Sequence, residues 1–298
     1  MNHMPLLVRR EFWEHRSFVI APAIVAAILL IGVTFGHVDF GAHDRIAGAE
    51  FSSKAYGIMT GILSVVALPY LISMGFLTVF YLLDSLYADR KDRSVLFWKS
   101  LPVSDRETVI SKLVVAAVVL PLMTFLAVVA TNLIFSLIGS VRLSSSIENV
   151  WSLVWQPAAW FNAHALLLYA LFAMMLWYLP ILGWLLLVSA WARRAVILWA
   201  VLPPLAIMFL EDVLFDTSYF AHLLRNRLVG WFDLAINTSA AAEHAMVLDG
   251  KRIPMTGRLV DAIDPGTFFS SPGLWLGLVV AGAFIWGAIL LRRRYSET

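Results

Sequence analysis

Few residues of the 298-residue chain have the type and spacing for chemistry. Cysteine is absent, which removes disulfides, thiolate metal sites and cysteine nucleophiles. The sequence contains no G-x-S-x-G elbow, no H-E-x-x-H zinc helix and no G-x-x-x-x-G-K-[ST] phosphate loop. The chain is therefore expected not to be an enzyme, to carry no cofactor or metal, and not to hydrolyse nucleotide by itself. Acids and bases collect between long apolar stretches; inside those stretches the acidic and imidazole groups are His164, Glu211 and Asp212. At 1.5 Å per helical residue, Glu211 lies about 25 Å along the fifth stretch. Two readings of Glu211 and Asp212 follow: markers of the helix exit, or polar contacts with substrate or another helix at the outer mouth. His164, beside Asn162, reads as an interfacial residue rather than a ligand.

Composition dictates the elements around these residues. Sixty per cent of the residues are hydrophobic, 14% are charged, and the mean hydropathy is +0.81. A soluble domain carries about 25% charged residues, so this chain lacks the polar surface of a water-soluble globule. Its net charge of +2 carries no nucleic-acid signature. A bilayer crossing needs about 20 predominantly apolar residues. Six segments meet that length: Phe18–Gly36, Gly57–Leu83, Leu113–Ser140, Ala163–Trp191, Ala195–Phe215 and Gly273–Leu291. The third and fourth exceed it, so their ends continue as helix into water or the helices tilt. The first is too long for a signal h-region and precedes no small-residue cleavage site, so it reads as a retained span. The expectation is an all-α integral membrane protein with six transmembrane helices in a single domain, 1–298.

Positive charge orients it. With the N-terminus inside, 14 of the 22 Lys and Arg fall in the inner segments 1–17, 84–112, 192–194 and 292–298. The longer outer segments 37–56, 141–162 and 216–272 hold the other 8. Cytoplasmic segments carry the excess of Lys and Arg, so both termini are expected inside.

The inner segment Asp84–Lys112 holds most of the polar chemistry. Asp84 to Arg93 continues span two as a charged helix. Val95-Leu96-Phe97-Trp98 with Leu101 forms an apolar cluster, costly if exposed. Pro102 breaks the helix, and Ser104 with Glu107 matches a capping box that starts a new helix through Lys112 into span three. The segment thus predicts two helical arms with a short amphipathic helix and a proline turn at the tip. That tip either docks a partner or anchors on lipid headgroups through Trp98 and Lys99.

The stretch "DRKDRSVLFWKSLPVSDRETVISK" resembles the first cytoplasmic loop of ABC-2-type permeases, the membrane subunits of bacterial ABC exporters. Its specific part is Ser100-Leu101-Pro102-Val103-Ser104-Asp105, followed by Lys112. "LLVRREFWEHRSF" is similar to the start of that family, an N-terminal interfacial helix before the first span. Arg93 stands where many relatives carry Gly. The resemblance implies a permease dimer, most simply a homodimer, in the bacterial cytoplasmic (inner) membrane. It also implies a separate ATPase subunit that binds ATP and Mg, and export through the pathway between the permease subunits. The tip would be a coupling helix between helices 2 and 3. Phe97, Trp98, Leu101 and Pro102 would be its docking contacts, flanked by Asp89, Arg90, Lys91 and Asp92. The alternative is a non-transporting anchor or sensor subunit that recruits a cytoplasmic partner through the same loop. A third reading, a proton-coupled carrier, would make Glu211 or His164 indispensable.

Smaller signals complete the reading. Arg10 and Glu14 are spaced for an i,i+4 ion pair. The G-x-x-x-G pairs Gly32/Gly36, Gly57/Gly61 and Gly273/Gly277 lie at the outer ends of spans one, two and six, and predict close packing there. Pro69, Pro121, Pro180, Pro203 and Pro204 fall inside spans and permit bends. The outer loop 216–272 predicts a small folded cap or gate, with an Asp249-Gly250 turn inside a hairpin. The apolar helices weakly favour lipids, hydrophobic drugs or amphipathic peptides over ions as cargo.

Overall fold

The computed structural model describes residues 4–36, 59–91, 104–144, 149–236, 245–248, 251–254 and 263–294. An amphipathic helix α1 (Met4–Glu14) leads into α2 (Ser17–Phe35). Next comes α3 (Met59–Lys91), with one turn residue at Val66. Then α4 (Asp105–Leu143) runs unbroken, its stretch Val115–Val119 wound as a π-helix. After the short α5 (Val150–Val154) come α6 (Pro157–Trp191), α7 (Val196–Phe215) and α8 (Tyr219–Ala235). Strands β1 (Ala245–Leu248) and β2 (Lys251–Pro254) pair antiparallel, and α9 (Pro265–Ser270) precedes α10 (Pro272–Arg294). Among the described residues, six helical segments are long and apolar enough to cross a membrane, within α2, α3, α4, α5–α6, α7 and α10.

Leu248 pairs with Lys251; the expected Asp249-Gly250 turn between them lies outside the described residues. This hairpin is the departure from an all-α chain. Helical extensions carry α3 and α4 well past the apolar segments: α3 runs on to Lys91 and α4 starts at Asp105.

Alternating helices bring α1, the end of α3, the start of α4 and the end of α10 together. This is the terminal end of the bundle; the opposite one is the far end. α6 is apolar on every side, as a helix in the middle of a bundle should be. It packs most extensively against α10 and α3, while α2 packs chiefly against α4. It approaches α10 closely at Gly183, where a Cβ would lie 3.2 Å from the Ala281 carbonyl oxygen and from the Phe284 Cβ. α2 and α7 lie at the margin, and Ile20, Ile28, Leu205 and Phe209 are among their exposed side chains.

The expected glycine packing differs in the structure. Gly32 and Gly61 meet nothing within 4 Å, and a Cβ on Gly36 would strike only its own helix at Gly32. Gly57 lies outside the described residues. Gly273 faces the Trp177 ring, and the Arg227 guanidinium lies over Gly277, 2.5 Å from where a Cβ would stand. These last two glycines make room for side chains rather than for a helix backbone, so their spacing does not produce a helix–helix seam.

Pro204 shows how the interior satisfies the backbone. Pro204 has no N–H for the Ala200 carbonyl of α7. That carbonyl accepts instead from Trp184 Nε1 of α6, at 3.0 Å. Beyond α7, α8 folds back along α6, so that Arg227 Nη1 donates to the Trp177 carbonyl (3.2 Å) and Nη2 to the Gly273 carbonyl (2.8 Å). The same guanidinium sits 4.3 Å from the Trp177 ring centroid. Part of segment 216–272 is therefore packed into the bundle rather than set above it as a cap. Asp264 caps α9: the Thr267 hydroxyl and backbone N–H donate to it and hold its carboxyl below the usual range.

Candidate functional site

The terminal end carries a chain of five ions, four of them buried. α1 turns Leu7 and Glu11, one helical turn apart, into the protein, and Arg9 stacks over the exposed Trp13 on another face. Glu11, 2% exposed, receives Lys112 Nζ of α4 at 3.0 Å. Lys112 Nζ also stands 3.6 Å from Asp89 Oδ2 of α3. Asp89 accepts from Arg292 Nη1 of α10 at 2.9 Å, and Arg292 Nε donates to Asp105 of α4 at 3.0 Å. The signs alternate along Glu11, Lys112, Asp89, Arg292 and Asp105, so each interior member has an opposite charge on both sides. At the outer margin of this row, Tyr81 donates to Glu11 at 2.9 Å, and His15 Nε2 lies 3.8 Å from the same carboxylate.

Alternation makes such a cluster tolerable. An isolated buried charge is very costly, whereas a paired and hydrogen-bonded one is held by its neighbours. The consequence is mechanical. Arg292 bridges Asp89, near the end of α3, to Asp105, at the start of α4. Those residues stand at the ends of the two helical extensions, on either side of segment 92–103, which lies outside the described residues. The arms are thereby tied to each other, to the last helix and, through Lys112, to α1.

Arg90 faces inward beside this row. Its Nη2 donates to the Ser189 and Ala192 carbonyls at 2.6 and 2.8 Å and so closes the end of α6. Ser189 reciprocates: its hydroxyl accepts from the Leu86 and Tyr87 N–H groups and donates to the Leu83 carbonyl at 2.8 Å. The expected capping box at Ser104 is present. The Glu107 N–H donates to Ser104 Oγ at 3.2 Å, and the Ser104 N–H donates to Glu107 Oε2 at 2.9 Å. The expected Arg10–Glu14 pair closes at 2.6 Å.

Of the residues expected to meet a partner, Asp89 and Arg90 are engaged within the chain and Lys91 is exposed. Asp92, Phe97, Trp98, Leu101 and Pro102 lie outside the described residues. At the far end, Glu211 accepts from the Tyr219 and Phe220 N–H groups at 2.7 and 2.8 Å and from the Thr217 hydroxyl at 3.2 Å. From α7 it thus caps the start of α8, while Asp212 is exposed. His164 is half-buried: its ring stacks on Trp160, Nδ1 donates to the Trp160 carbonyl at 2.8 Å, and Nε2 faces Asn132 Nδ2 at 3.2 Å.

Glu11 and the pairing of Asp89 with Lys112 and Arg292 escaped the sequence reading. The available signal was an acid on the face of α1 shared with Leu7, together with charges of both signs at the ends of three apolar helices.

The fold and this site define a multi-pass helical membrane protein whose terminal end is locked by buried ion pairs. No family model, curated protein or solved structure matches the chain.

Proposed function

We propose that the chain is the permease subunit of an ATP-driven exporter of the ABC-2 type. In this reading it works as a dimer in the bacterial inner membrane with its terminal end in the cytoplasm. A separate ATPase chain binds ATP and Mg and grips the 92–103 tip. The observation that carries the proposal is the Arg292 bridge between Asp89 and Asp105. A tip whose two roots share one guanidinium transmits a push to α3, α4 and α10 together, instead of bending at its base. That is the property a coupling element needs when the membrane segment has no phosphate-binding loop of its own. The resemblance of the 84–112 segment to that family's first cytoplasmic loop supports the same reading.

The test is copurification of a P-loop ATPase with the intact chain, followed by ATP-dependent flux in proteoliposomes. Leu101→Asp and Phe97→Asp are expected to remove the ATPase from the complex and to abolish flux. Retention of the ATPase by both variants would overturn the docking assignment. A bound ATPase without flux would instead favour a recruiting subunit that moves no cargo.

A further inference from the structure

A crevice of about 850 Å³ opens beside the ion chain, between the α1–α2 junction, α3 and the first turn of α7. That volume falls within the roughly 300–1,000 Å³ of small-molecule sites. One side is apolar: Leu77, Phe80, Ile197 and Leu198 line it, and the last three are more than half exposed on the bundle surface. The other side carries Asp84 and Tyr87.

Asp84 differs from the acids around it. Glu11, Glu14, Asp89 and Asp105 each hold a basic side chain, and Glu107 closes the capping box. Asp84 is exposed and, among the described residues, has no hydrogen bond or ion pair. Tyr81, which also lines the crevice, has its hydroxyl committed to Glu11 and presents its ring. The crevice thus offers an unpaired carboxylate, aromatic rings and a hydrocarbon wall together. Aromatic faces attract ammonium groups, and a carboxylate neutralises them.

We propose that this crevice binds an amphiphile with an amine or quaternary ammonium head, its head on Asp84 and Tyr87 and its tail along Leu77, Phe80, Ile197 and Leu198. The assignment concerns binding to this chain and stands apart from the export reading, because it is measured without ATP or an ATPase. Two sources share the chemistry: a membrane lipid such as phosphatidylethanolamine, and a free alkylammonium compound.

The test uses the full-length chain in maltoside micelles with radiolabelled tetradecyltrimethylammonium as probe. Saturable binding is expected, with no competition from tetradecanol or tetradecanoate. Asp84→Asn is expected to weaken it at least tenfold with an unchanged unfolding midpoint, since its side chain holds nothing in place. Asp84→Lys is expected to lose the probe and to bind tetradecanoate instead. Phosphatidylethanolamine, with phosphatidylglycerol as control, separates the sources. Displacement by the former alone identifies a membrane lipid, and displacement by neither a free amphiphile; both keep the ammonium assignment. Equal competition by tetradecanol, or wild-type binding by Asp84→Asn, overturns it.

Discussion

At the scale of residues, the terminal end works because no buried ion there is single. Lys112→Met leaves Glu11 and Asp89 as neighbouring carboxylates with one cation fewer between them. Removing one partner of a buried pair costs about 3–5 kcal/mol. The expected outcome is a large fall in the thermal unfolding midpoint of the purified protein. Glu11→Gln combined with Lys112→Met should lose clearly less than the sum of the single changes, because it removes the unpaired carboxylate along with its cation. An additive result would show that Glu11 and Lys112 are not coupled. Arg292→Lys keeps the charge but cannot present Nε and Nη1 to two acids at once. It should lower the midpoint despite being conservative.

At the scale of elements, two helix-level devices make distinct predictions. Trp184→Phe removes the donor to the Ala200 carbonyl and should cost about 1–3 kcal/mol as an orphaned acceptor. Pro204→Ala restores a backbone N–H four residues beyond Ala200, so the double variant should recover most of that loss. No recovery in the unfolding midpoint would mean that the indole bond does not stand in for the missing backbone bond. Glu211→Ala removes the acceptor at the start of α8. A lost N-terminal cap costs about 1 kcal/mol, read as faster amide exchange at Tyr219 and Phe220 while α6 is unaffected. The fate of the glycine pairs belongs to this scale too. Spacing alone cannot distinguish a glycine that admits a backbone from one that admits Arg227 or Trp177, because the partner comes from a distant part of the chain.

At the scale of the whole molecule, the arrangement of the six helical segments predicts which residues share a side. In the naturally cysteine-free chain, Arg194→Cys should react with a membrane-impermeant maleimide only from the cytoplasmic face, and Tyr219→Cys only from the other. Reversed labelling would overturn the orientation while leaving the packing intact. The sequence by itself determined the apolar helices, the helical extensions of spans two and three, the Ser104 capping box and the small hairpin. Each of these depends on neighbours within a few residues or on apolar length. Only the tertiary structure decided that Glu11 is buried, that Lys112 and Arg292 hold Asp89 between them, that Arg90 closes α6 and that His164 meets Asn132. Those contacts join residues up to 203 positions apart. A charge at the end of a helix looks the same in sequence whether water or an opposite charge awaits it, and packing alone chooses between the two.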